Sequence, residues 1–135
     1  MSEQKNNTLA ENAITNIDNR PLITIKILNR LVSCLLNSGL NISLCSAQGS
    51  KELVKLGLKP ILSSKIKISL ANSLGQVIQT KFEVPIEFMD SFSIISVYVL
   101  PTLSQEFLLG MDFFKKFNLG IVPLNSYPTS NVIVC

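Results

Sequence analysis

Leu35-Leu36-Asn37-Ser38-Gly39 is the stretch from which the rest of the chain can be read: an apolar run that stops abruptly at a small polar loop. Upstream, Ile23, Ile25 and Ile27 alternate with Thr24 and Lys26, the period of two that marks a strand. Downstream, Leu40, Ile42 and Leu44 alternate with Asn41 and Ser43, so the loop is held between two strand-like pieces. Pro21 suits the entry to a first strand, predicted over residues 22–28. A two-residue turn at Asn29-Arg30 then leads into a second strand over residues 31–36. That second strand is apolar almost throughout, which predicts burial on both faces.

Composition narrows the chemistry. The chain has 135 residues, 47% of them hydrophobic, enough for one domain with its own core. The net charge of +3 is small and its lysines are dispersed, so neither a nucleic-acid nor a membrane footprint is expected. There is no histidine, which removes Ser-His and Cys-His nucleophile pairs. Cys34, Cys45 and Cys135 are odd in number and lack ligand spacing, so no metal and no cofactor is expected and all three read as reduced thiols. The longest apolar stretch, residues 94–100, is far too short for a helical span, and the polar start shows no secretory signal. An intracellular, cytoplasmic setting is the expectation.

Residues 1–20 contain five asparagines and only isolated apolar positions, and are expected to be a disordered leader or linker. The domain is expected over residues 21–124, and residues 125–135 form a tail with a strand suited to a dimer interface. Between them, residues 46–58 carry a helical pattern with Ser50 as candidate N-cap and Lys59-Pro60 as terminator. Residues 64–70 and 76–87 alternate cleanly around Ala71-Asn72-Ser73-Leu74-Gly75, a long hairpin with a small-residue tip. Residues 92–100 form an apolar strand. Phe107-Leu108-Leu109-Gly110-Met111-Asp112 then opens a short helix with Phe113, Phe114 and Phe117 on one face and Lys115 and Lys116 on the other, a pattern that reads as core packing.

No one of these pieces is specific, but their order and spacing are. A strand pair running into Leu-Leu-X-Ser-Gly, a short helix, a hairpin, an apolar strand and Leu-Leu-Gly-Met-Asp-Phe resembles the retroviral-type aspartic proteases, the retropepsins. It is closest to the protease segment of gypsy-class long-terminal-repeat retrotransposons. The resemblance covers residues 21–122. It implies an all-β fold, a retropepsin-like closed β-barrel forming one half of an acid protease, with one or two short helices. It also implies a homodimer in which each chain supplies half of a site for an extended peptide or polyprotein substrate. Asn37 then stands at the position of the catalytic Asp. Ser38 matches the hydroxyl residue that braces the loop, and Gly39 the glycine that admits a tight turn. Leu40 lies beside the substrate, Ala71, Asn72, Ser73, Leu74 and Gly75 form a flap tip over it, and Leu109 with Gly110 packs beneath the loop, Leu109 on the substrate side.

The chain departs from that pattern at two positions. The chemistry needs two carboxylates sharing one proton, and an amide takes up no proton near neutral pH. Leu40 also replaces a small residue, usually Ala, which narrows the cleft. The expectation is a polyprotein-processing aspartic endopeptidase domain that is inactive as written. The alternatives are a pseudoprotease serving as a dimerisation or peptide-binding module, and a plain all-β domain in which Asn-Ser-Gly is an ordinary turn.

Overall fold

Strand β1 (Leu22–Ile27) pairs antiparallel with β2 (Arg30–Leu36), and Ile27 faces Arg30, so the turn consists of Leu28 and Asn29. Both have positive φ, 48° and 68°, the combination that lets a two-residue hairpin follow the right-handed twist of its strands. The Asn29-Arg30 turn expected from sequence is thus one residue late, because a leucine gives no warning that it will adopt a left-handed conformation. Met89 and Asp90, at φ 50° and 62°, repeat the device between β5 (Ser73–Phe88) and β6 (Ser91–Val99). The computed structural model describes residues 20–70, 73–122 and 132–134. The expected leader, domain ends and tail lie largely outside them.

The remaining elements are β3 (Ser43–Cys45), α1 (Ala47–Lys55), β4 (Ile61–Leu70), β7 (Phe107–Leu109), α2 (Met111–Lys116), β8 (Gly120–Val122) and β9 (Val132–Val134). The main sheet runs β1-β2-β7-β3-β6-β5-β4, and β5 returns to β1 through Lys26 opposite Glu87. Six strands therefore close into a barrel, with β4 paired outside it to β5. The expected all-β class with two short helices holds.

Inside the barrel, alternate residues of β1, β2, β5 and β6 meet, among them Ile25, Leu36, Phe82 and Val97. Helix α2 plugs one side with Phe113, Phe114 and Phe117, all buried, while Lys115 and Lys116 stay in water as the sequence pattern predicts. The Phe113 and Phe117 rings lie 4.8 Å apart. Strand β2 is the exception to expectation: it is not buried on both faces. Cys34 and Leu36 point inward, but Leu31 is 69% exposed and Ser33 lies beside it in solvent. A barrel strand has one wall against the core and one against whatever surrounds the barrel, so an apolar run does not by itself place both faces inside.

Helix α1 begins earlier than expected. Its N-cap is Ser46, not Ser50: the Ser46 hydroxyl accepts the Gly49 N–H at 3.1 Å. Its end is set by Gly57 at φ +96°, with Leu58 N–H on the Leu53 carbonyl and Gly57 N–H on that of Val54. These two bonds close the helix before Lys59-Pro60 is reached. The hairpin strands are longer than their alternation showed, β4 starting at Ile61 and β5 at Ser73. The expected C-terminal strand is present as β9, but it is not a lone edge, because it pairs in parallel with β8.

Candidate active site

The site follows from a topological fact. Strands β2 and β3 are consecutive in the chain yet are not neighbours in the sheet: β7 lies between them, parallel to β2 (Leu36 opposite Leu109) and antiparallel to β3 (Leu44 opposite Leu108). The connection through residues 37–42 must therefore cross the end of β7. There the Asn37 N–H donates to the Leu109 carbonyl at 2.8 Å, and the Leu40 N–H closes the turn on the Asn37 carbonyl at 3.2 Å. The Gly39 N–H donates to Asn37 Oδ1 at 2.9 Å. Asn37 is half-buried, while Ser38 and Gly39 are exposed. A Cβ on Gly39 would sit 3.1 Å from Asn37 Oδ1, so glycine is suited here by close approach rather than by a left-handed φ.

The far side of the loop is welded to the start of α2. Met111 N–H reaches the Leu40 carbonyl at 2.7 Å, and Asp112 N–H that of Asn41 at 3.2 Å. Gly110 N–H donates to Ser43 Oγ at 3.1 Å, and that hydroxyl donates in turn to Asp112 Oδ1 at 2.6 Å. The same carboxylate accepts the backbone N–H groups of Ser43 at 3.0 Å and Phe113 at 2.7 Å. Burial pushes the Asp112 carboxyl above its ordinary value, and these donors only partly offset it. Gly110 has no room for a side chain: a Cβ would lie 2.4 Å from the Ile42 carbonyl oxygen. Neither Asp112 nor Ser43 was singled out as a site residue from the sequence. The available signal was an acidic residue in the first turn of a helix, which reads as simple end stabilisation.

Asn37, Ser38, Gly39 and Leu40 thus come together as one loop. Leu40 is half-buried and packs with Leu35 and Ile42 on Leu44, Leu100 and Leu108. Ile66 and Ile68 of β4 and Ile78 of β5 join the same cluster, so the loop and the long hairpin share an apolar wall. Of the expected flap tip, Ala71 and Asn72 lie outside the described residues, while Ser73, Leu74 and Gly75 belong to β5, with Ser73 opposite Leu70. Three of the five residues expected at the tip therefore lie within a strand. Leu109 is also corrected: its side chain is 1% exposed, inside the barrel core, and its contribution to the loop is its carbonyl oxygen. Cys34 and Cys45 are free and buried, each thiol pushed up to about 12 by desolvation, which leaves neither as a nucleophile near neutral pH.

As it stands, the loop presents a side-chain amide, which can donate and accept hydrogen bonds but cannot carry a proton between groups. No protein-family model matches the chain, and no curated protein does. Solved structures do. The retroviral protease-like domain of Ddi1 from Leishmania major superposes with a TM-score of 0.53 at 16% identity, over 76% of this chain and 80% of that one. EIAV protease complexed with the inhibitor HBY-793 gives 0.50 at 16% identity, over 78% of this chain and 95% of that one. The closed barrel, the loop laid across β7 and these two likenesses agree: the chain has the retropepsin-like fold of retroviral-type aspartic proteases.

Proposed function

We propose that the chain is an aspartic endopeptidase domain of the retrotransposon type, working as a homodimer on extended peptide segments of a polyprotein, and silent as encoded because Asn37 occupies the catalytic carboxylate position. The observation that carries this reading is the seating of Asn37: its N–H is held by Leu109, its Oδ1 by Gly39, and the residue is half-buried in a loop whose Leu40 and Ile42 join the apolar wall. Leu108-Leu109-Gly110-Met111-Asp112-Phe113 supports a gypsy-class origin. In a homodimer the change removes both carboxylates together. Loss of a single acid–base group costs about 10²–10⁴ in rate, so losing both abolishes useful turnover. Binding is a separate matter. The apolar wall between loop and hairpin owes nothing to a carboxylate, and extended peptides bind such clefts by strand addition. A peptide-binding module is therefore the second reading.

The test is turnover of a hydrophobic peptide library at mildly acidic pH by freshly prepared parent, Asn37→Asp, and Asn37→Asp with Leu40→Ala. The parent is expected to be silent, the single variant active, and the double variant more active because the cleft is widened. A parent as active as the double variant would remove Asn37 from the mechanism. Binding of peptides without cleavage by any variant would favour the module.

A further inference from the structure

The loop is also set up for a reaction on itself. We propose that Asn37 is a self-deamidation site, its amide converted to a carboxylate through ring closure by the Ser38 backbone nitrogen. Three features of the loop point to it. The Gly39 N–H on Asn37 Oδ1 at 2.9 Å polarises the side-chain carbonyl and is placed to hold the oxyanion that forms when its carbon is attacked. The Ser38 N–H, the attacking group, has no acceptor among the described residues, whereas the Asn37 and Leu40 N–H groups beside it are both engaged. Ser38 is small, unbranched at Cβ and exposed, so neither its side chain nor exclusion of water obstructs the step.

The other described asparagines lack this combination. Asn41 precedes the β-branched Ile42. Asn118 precedes Leu119, whose N–H is tied to the Phe114 carbonyl at 2.8 Å. Asn29 precedes the bulky Arg30 within a paired hairpin.

In the reaction the Ser38 nitrogen forms a bond to Asn37 Cγ and gives up its proton. The Cγ–Nδ2 bond breaks, and Nδ2 leaves with that proton as ammonia, closing a five-membered succinimide. Water then adds to one of the two ring carbonyls. Opening on one side yields an aspartyl residue in an unchanged backbone. Opening on the other yields an isoaspartyl link, which adds a backbone atom between the Asn37 N–H held by Leu109 and the Gly39 N–H. No oxidant or cofactor enters. The consequence for cleavage rests on the functional reading above, though the deamidation itself does not: the aspartyl product supplies the missing carboxylate, and because a dimer needs two, activity rises with the square of the aspartyl fraction.

The experiment ages the freshly purified full chain in mildly alkaline buffer and maps each asparagine by peptide mass, with peptide turnover assayed on the same samples. Asn37 is expected to convert several-fold faster than Asn29, Asn41 and Asn118. Ser38→Thr, which keeps the hydroxyl but adds a branch beside the attacking nitrogen, is expected to slow conversion several-fold. Conversion at Asn37 no faster than at those three asparagines overturns the proposal without recourse to any variant, and so does a Ser38→Thr rate equal to the parent's. Conversion with no turnover by aged parent or by Asn37→Asp upholds the modification site and sinks the protease reading. Turnover by Asn37→Asp with no conversion in aged parent does the reverse.

Discussion

At the scale of single residues, the Asp112 carboxylate collects the Ser43 and Phe113 N–H groups and the Ser43 hydroxyl, and through that hydroxyl orders the Gly110 N–H. Removing it takes this acceptor from the Ser43 N–H and hydroxyl, at about 1–3 kcal/mol each, while the Phe113 N–H keeps the Gly110 carbonyl at 3.0 Å. Asp112→Ala is therefore expected to lower stability by an amount in that range or above it, measured by urea unfolding. Asp112→Asn separates charge from shape. Because burial raises the carboxyl above its ordinary 3.8, the ionised form is the disfavoured one in the fold. The stabilisation that the protonated carboxyl gives is complete below 3.8 and is lost as pH rises through the elevated folded value. The parent should thus lose stability relative to Asp112→Asn between acid and neutral pH. A gain instead would mean that the three donors outweigh desolvation.

At the scale of elements, the junction of β7 and α2 sets where the loop lies. Gly110 is the hinge point of that junction, and the atom nearest a would-be Cβ is backbone, the Ile42 carbonyl oxygen at 2.4 Å. Neither side can yield without shifting the loop or the helix, so Gly110→Ala is expected to cost about 1–3 kcal/mol, the usual range for overpacking. In the Asn37→Asp background it should also abolish turnover. Gly75→Ala is the matched control. There a Cβ meets Lys67 Cε at 2.6 Å, the flexible end of an exposed side chain that can swing away. Comparable losses for the two variants, in denaturant midpoint, would refute the account of the junction.

At the scale of the whole molecule, each chain carries one such loop, with Ser38 and Gly39 turned to solvent. It also carries a two-stranded sheet, β8 with β9, only three residues long on each side. A sheet of that size is marginal unless something covers it or extends it. A second copy of the chain does both if the loops meet on a two-fold axis and the two small sheets join. Sedimentation is expected to show a dimer for the full chain at tens of micromolar, and a weaker association for a chain ending at Ser130, which lacks β9. A full-length monomer at that concentration would count against the half-site reading.

The alternation of Ile23, Ile25 and Ile27, the amphipathic spacing of Phe113, Phe114 and Phe117, and the amide at position 37 were all determined by the sequence alone, because period and residue type are properties of the covalent chain. So was the ordered set of parts around Leu-Leu-Asn-Ser-Gly, from which the all-β fold was legible. Other features waited for the tertiary structure. Leu28 takes a left-handed φ because strand twist demands it, against its own preference. Ser46, not Ser50, caps α1, because the helix starts immediately after β3, at a buried corner. One face of β2 meets solvent because the barrel curves away from it. Above all, the loop's support comes from Asp112 and Gly110, nearly seventy residues downstream in the chain. A clash between a Cβ and a distant carbonyl, or a carboxylate aimed at a distant hydroxyl, leaves no local mark. Only the insertion of β7 between β2 and β3 brings those atoms within reach of one another.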